Sequence, residues 1–207
     1  MMRLTRRVLL AAALALLAHP ASADDPCCGP VTPQGQSLAA SLDRTGVDHL
    51  WLSGWHVRWQ TGESDRPEPG GPESHTHCSA FVAAIAKREG IYILRPPQHP
   101  QQLLANAQMH WLAQRGAQSG WQTVADEHAA QALANRGLFV VASYENANPH
   151  KPGHIAILRP SLKSAAELAA DGPQITQAGG HNYISTTLQN GFRSRRPHIL
   201  FFAHAVD

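Results

Sequence analysis

Cys78 stands in the run His75-Thr76-His77-Cys78-Ser79-Ala80-Phe81, directly ahead of apolar residues at helical spacing. A cysteine at the start of a helix is a candidate nucleophile. The helix dipole and the free amides of the first turn favour a negative sulfur and draw its pKa below about 8.5. The same amides can hold the oxyanion that forms when a carbonyl is attacked. A thiolate nucleophile also needs an imidazole beside it. His154 is the best candidate: it follows Gly153 and opens the apolar run Ile155-Ala156-Ile157-Leu158, where a strand end can project a polar side chain into a cleft. The imidazole in turn needs an orienting acceptor. Gln177, in the next strand-like run, is the first choice and Asn182 the second. His77, beside the cysteine, and Tyr144, ahead of His154, are candidate cleft-lining residues.

These residues need elements to hold them. Cys78 to Glu89 reads as a helix closed by Gly90, with Phe81, Val82, Ile85 and Ala86 on one face and Ser74 or Thr76 as its cap. Further helices are predicted over Ser37–Leu50, Gln101–Arg115 and Asp126–Arg136, the last capped by Asp126 and stopped by Gly137. Ser164–Ala170 reads as a helical turn and Ile91–Leu94 as a short extended piece. Strands are predicted over Leu138–Tyr144, Gly153–Leu158, Gln174–Ala178, Tyr183–Thr187 and His198–Ala205. Residues 24–36 read as irregular, and Thr61–Ser74 as a polar loop. Trp51, Trp55 and Trp59, four residues apart, are expected to pack one side of the core. Helices first and strands after predict an α+β fold with an antiparallel sheet. One domain over 37–207, with a helical insert around 95–126, accounts for the pattern.

The leader sets the expected compartment. Arg3, Arg6 and Arg7, the apolar run Val8–Ala18 and the small-x-small site Ala21-Ser22-Ala23 make residues 1–23 a secretory signal by pattern. That run falls short of the roughly 20 apolar residues a membrane span needs. The expected location is periplasmic or secreted. Without Arg3, Arg6 and Arg7, the 17 basic residues fall to 14 against 15 acidic, so the net charge moves from +2 to near −1. No block of basic residues points to nucleic acid. At 43% hydrophobic and 15% charged, the composition excludes a disordered chain. Three cysteines are too few for a disulfide scaffold. In an oxidising compartment Cys27 and Cys28 are candidates for oxidation, to each other or to a partner.

From about Trp51 to the C-terminus the chain resembles the papain-like cysteine amidases and peptidases of the NlpC and CHAP type, most of which act on bacterial cell-wall peptides. Cys78-Ser79-Ala80-Phe81-Val82 is similar to the family's nucleophile motif. Gly153-His154-Ile155-Ala156-Ile157-Leu158 is similar to the motif that introduces its histidine, and Ile175-Thr176-Gln177 lies where the family supplies its third polar residue. His77 departs from the Asp or Asn often found before the cysteine, and the stretch Leu94–Asp126 has no counterpart among these motifs. The resemblance implies a papain-like domain with its nucleophile helix packed on an antiparallel sheet. It also implies amide hydrolysis through a thioester on Cys78, with His154 as acid and base, Gln177 holding the imidazole, a peptide or peptidoglycan substrate, and no cofactor or metal.

Other readings use the same residues. His75, His77 and Cys78 are also zinc or copper ligand types, although His-x-His-Cys lacks the spacing of a structural zinc site. A non-catalytic module would use the three tryptophans to bind peptide or glycan. An acyltransferase would use Cys78 and His154 with an amine as acceptor. Nothing in the sequence names an inhibitor or immunity partner.

Overall fold

A computed structural model of the chain describes residues 26–70 and 75–206. The leader over 1–23 and the proposed cap Ser74 lie outside the described residues. The described chain forms six α-helices and one six-stranded antiparallel sheet. The helices are α1 (Pro33–Asp43), α2 (Cys78–Arg88), α3 (Leu104–Arg115), α4 (Glu127–Asn135), α5 (Ala165–Asp171) and α6 (Leu188–Phe192). The strands are β1 (Gln122–Val124), β2 (Phe139–Tyr144), β3 (His154–Leu158), β4 (Gln174–Gln177), β5 (Tyr183–Thr187) and β6 (Leu200–His204). They run in the order β1-β6-β2-β3-β4-β5.

The expected α+β class and antiparallel sheet are both present. Several boundaries differ. The first helix spans Pro33–Asp43 instead of Ser37–Leu50, so the segment taken as irregular already ends in helix. Thr32 caps it, accepting from the Gly35 amide, and Pro33 fits the first turn, where no amide hydrogen is needed. The third helix starts at Leu104, after a left-handed Leu103, instead of at Gln101. Ile91–Leu94 joins no strand, while β1 and α6 carry no periodicity long enough to be read from sequence.

Helices cover both faces of the sheet. Alternation along β2 sends Phe139 and Val141 to one core and Val140 and Ala142 to the other. The first core takes Ile155 and Ile157 of β3 and is roofed by α2 and α3. The second takes Ala156 and Leu158, with Ala130 and Ala134 of α4 and with Leu188 and Phe192 of α6. Burial on both faces explains why β2 and β3 read as near-continuous apolar runs.

The α2 helix holds four alanines, the best helix formers, and Lys87 and Arg88 in its last turn, where positive charge is favourable. Gly90, at φ +75°, ends it in a conformation that favours glycine. The expected single apolar face is wider than predicted: every residue from Cys78 to Ala86 is buried. The reason is tertiary. The sheet covers one side, α3 packs on the helix, and Trp51 meets Phe81 edge-on with ring centroids 5.2 Å apart. Trp51 is fully buried, and Trp55 and Trp59 pack on the same core. Burying Phe81 is worth about 1.5–3 kcal/mol by area, and the edge-on pair adds about 0.5–1.5 kcal/mol.

Candidate active site

The first residue of α2 is Cys78, and it is 3% exposed. His77 occupies the cap position but makes no capping bond with its side chain, and Thr76, an expected cap, makes none either. The first-turn amides therefore keep their donors for another acceptor. His77 is tied elsewhere: its Nε2–H donates to the Trp55 carbonyl at 2.8 Å. Burial holds its imidazole below the usual range, against the raising effect of that bond. A neutral His77 thus anchors the residue before the nucleophile to the tryptophan loop.

His154 opens β3, 7% exposed. Gly153 before it is required by close approach: a Cβ there would run into the Tyr144 carbonyl oxygen and stand 2.5 Å from Asn106 Oδ1. The Nε2–H of His154 donates to Gln177 Oε1 at 2.9 Å, and Gln177 Nε2 donates to the His181 carbonyl at 3.1 Å. The second bond sets which end of the amide faces the imidazole. With Nε2 so engaged, Nδ1 is the ring atom left for the sulfur. The ring of Phe192 packs on His154 with centroids 4.6 Å apart. A Cβ on the neighbouring Gly191 would come within 2.5 Å of Gln177 Oε1, so only glycine lets α6 close over this pair.

Burial by itself pushes the Cys78 thiol up. The hydrogen bond and charge of His154, with the backbone amides of Ile155 and Ser79, outweigh burial and bring it below the ordinary thiol range. Burial works to lower His154, but the bond and charge of Cys78 and the bond to Gln177 raise it above the ordinary imidazole range. The two shifts are opposite in direction, which favours moving the proton from the sulfur toward the imidazole.

Two adjoining clefts, of about 520 and 380 Å³, run past the start of α2. The smaller reaches Cys78, and both are lined by His75, Thr76, Ser79, Gln101 and Gln102. The larger also touches His77. The predicted helical insert thus forms one wall. Gln101 donates to the Val57 carbonyl at 3.2 Å, while its Oε1 is buried with no hydrogen-bond partner among the described residues.

The structure brings Cys78, His154 and Gln177 together. Asn182 is elsewhere engaged: its Nδ2 donates to the carbonyls of Val47 and Leu50, and its Oδ1 accepts from Gly179. It braces the tryptophan loop and does not meet the imidazole. Tyr144 lines neither cleft. It pairs with His154 across β2 and β3 and carries Arg195 over its ring. His75, His77 and Cys78 do not converge as metal ligands, since His77 and Cys78 are committed as described. Among the described residues the one group of three with that geometry is Cys27, Cys28 and His128, and there the two sulfurs are disulfide-bonded to each other. No helix among the described residues is long and apolar enough to cross a membrane. Sequence reasoning missed Gly191, Phe192, Gln101 and Arg195. Only the Gly-Phe pair after β5 offered a local signal, and a weak one. No known family model matches the chain, and no curated protein is similar to it.

Proposed function

We infer that the chain is a cysteine amidase or endopeptidase that hydrolyses an amide bond, with cell-wall peptide as the expected substrate class and an exported location. One observation carries the reaction class: a buried cysteine at an uncapped helix start interacts with a histidine that is itself bonded to Gln177, and the interaction draws the thiol down and the imidazole up. The substrate class and the papain-like assignment rest on the motif resemblance around Cys78, His154 and Gln177.

On this reading the chemistry uses the same three side chains. The Cys78 thiolate adds to the amide carbonyl, and first-turn amides of α2 stabilise the oxyanion. The tetrahedral species collapses, the C–N bond breaks, and the proton on His154 Nδ1 passes to the leaving amine. Neutral His154 then takes a proton from water as the oxygen attacks the thioester. The C–S bond breaks, the acid leaves, and the thiolate–imidazolium pair returns. Gln177 keeps the productive tautomer by accepting from Nε2–H throughout.

The test is iodoacetamide labelling of Cys78 against pH, read by peptide mass spectrometry, with His154→Ala beside the wild type. The expected outcome is fast labelling that persists well below the free-thiol value of about 8.5 and loses its low-pH limb in His154→Ala. Labelling only near that value, unchanged by the substitution, overturns the reading.

A further inference from the structure

The segment that follows α6, a 3-10 turn over Arg193–His198, holds Arg195 and Arg196 in two different settings. Arg196 is fixed by structure: it grips Glu127 with two bonds, at 2.7 and 2.6 Å, and donates to the Ala170 and Leu168 carbonyls. Arg195 is exposed and has no carboxylate partner among the described residues. Its guanidinium carbon lies 5.6 Å from the centroid of the Tyr144 ring. Tyr144 stands directly opposite His154 in the sheet, and Phe192, three residues before Arg195, packs on the His154 ring. Glu145, the acid next in sequence to Tyr144, is bonded to His110 at 2.6 Å. An unpaired guanidinium is therefore held one strand from the imidazole, on a turn that Arg196 makes rigid.

A cation in this place does not serve the catalytic pair. It opposes the imidazolium, working to lower the proton affinity of His154. The contact with the tyrosine ring engages no carboxylate or carbonyl, and a guanidinium with N–H groups to spare can grip a carboxylate through two parallel bonds. The direction along the site also follows. The two clefts at the start of α2, of which the smaller touches Cys78, are lined by neither His154 nor Arg195 and suit the acyl part, whereas His154 protonates the departing amine, so Arg195 lies on the amine side.

We propose that Arg195 is a specificity-determining residue that binds a carboxylate on the amine side of the scissile bond, so that the site selects amides whose leaving amine belongs to an acidic or carboxylate-terminated residue. This rests on the reading of Cys78 and His154 as an amide-cleaving pair, and the experiment separates the two. Cys78 is alkylated with N-iodoacetyl-glycine and N-iodoacetyl-4-aminobutyrate, and with the neutral amide of each. In every case the sulfur displaces iodide, and a carboxylate or its neutral amide is placed beyond an amide bond. The wild type is expected to react about tenfold faster with at least one acid than with its neutral amide. Arg195→Ala should bring the ratio of acid to neutral-probe rates, each measured on the same variant, to about one, and Arg195→Lys should retain part of the preference. No preference in the wild type at either length, or a preference that survives in Arg195→Ala, overturns the assignment of Arg195. A wild-type Cys78 that the neutral probes label only in the free-thiol range overturns the amidase reading, and the carboxylate site with it.

Discussion

Among the described residues, four α-helices begin with a filled cap and two do not. Thr32, Asp126, Ser164 and Thr187 each accept a backbone amide at the start of α1, α4, α5 and α6, and Ser164 forms a full capping box with Glu167. By contrast α2 and α3 start at His77 and Leu103 with no side-chain cap. Both open ends border the cleft that reaches Cys78. A filled cap satisfies one of the orphan donors of the first turn. Leaving α2 open forgoes about 1 kcal/mol of that stabilisation and keeps positive potential for the sulfur. Where the helix start lies away from the cleft at Cys78, the cap is closed; where it borders that cleft, the amides remain available.

The comparison can be broken at its strongest point first. Replacing His154 with Ala should lower amide turnover by about 10²–10⁴-fold, the range for a positioned acid–base group, and should remove low-pH alkylation of Cys78. The sign follows from the two shifts. The Cys78 pKa is held below the thiol range, so reactivity is present above that lowered value and is lost as pH falls through it; without His154, burial dominates and the transition moves up. Gly191→Ala should come next. The added methyl stands 2.5 Å from Gln177 Oε1 and 2.6 Å from Ile175 Cδ1, so it displaces the acceptor of His154. A loss of about 1–3 kcal/mol in denaturant stability is expected from overpacking, together with a flattened pH profile for Cys78 labelling.

Asp126→Ala sharpens the comparison from the other side. It removes the bond to the Ala129 amide at 2.8 Å and should cost about 1 kcal/mol. For a chain of this size that is a fall of about 2–4 °C in Tm, with Cys78 alkylation unchanged. Thr76→Ala should do least, under about 0.5 kcal/mol by thermal unfolding, since Thr76 makes no cap at α2. If Thr76→Ala cost as much as Asp126→Ala, α2 would not be the open helix described here.

Much of the candidate site was legible because its parts announce themselves locally. Cys78 precedes an alanine-rich helix, His154 follows a glycine at the head of an apolar strand, and Gln177 sits in the next alternating run. Each is a short-range pattern. Asn182 has the same chemical capacity as Gln177 and ranked second only because it falls outside the strand-like run; three backbone carbonyls of the 47–51 loop take up its amide. The α2 helix reads as one-sided because the sequence does not show α3 and Trp51 covering its other face. Leu103 and Trp51, both at positive φ without being glycine, mark turns that side-chain type argues against.

The residue types and their spacing alone determined the α+β class, the antiparallel strand series, the Asp126 cap and the candidate nucleophile and imidazole, because helix and strand periods and cap chemistry act over a few residues. Tertiary structure alone decided that the Asn182 amide is spent on the tryptophan loop, that Phe192 covers the imidazole, that Gly191 must be small, and that Arg195 stands over Tyr144. Those facts depend on contacts between segments tens of residues apart, where packing and the sheet register choose the neighbour and no local pattern records the choice.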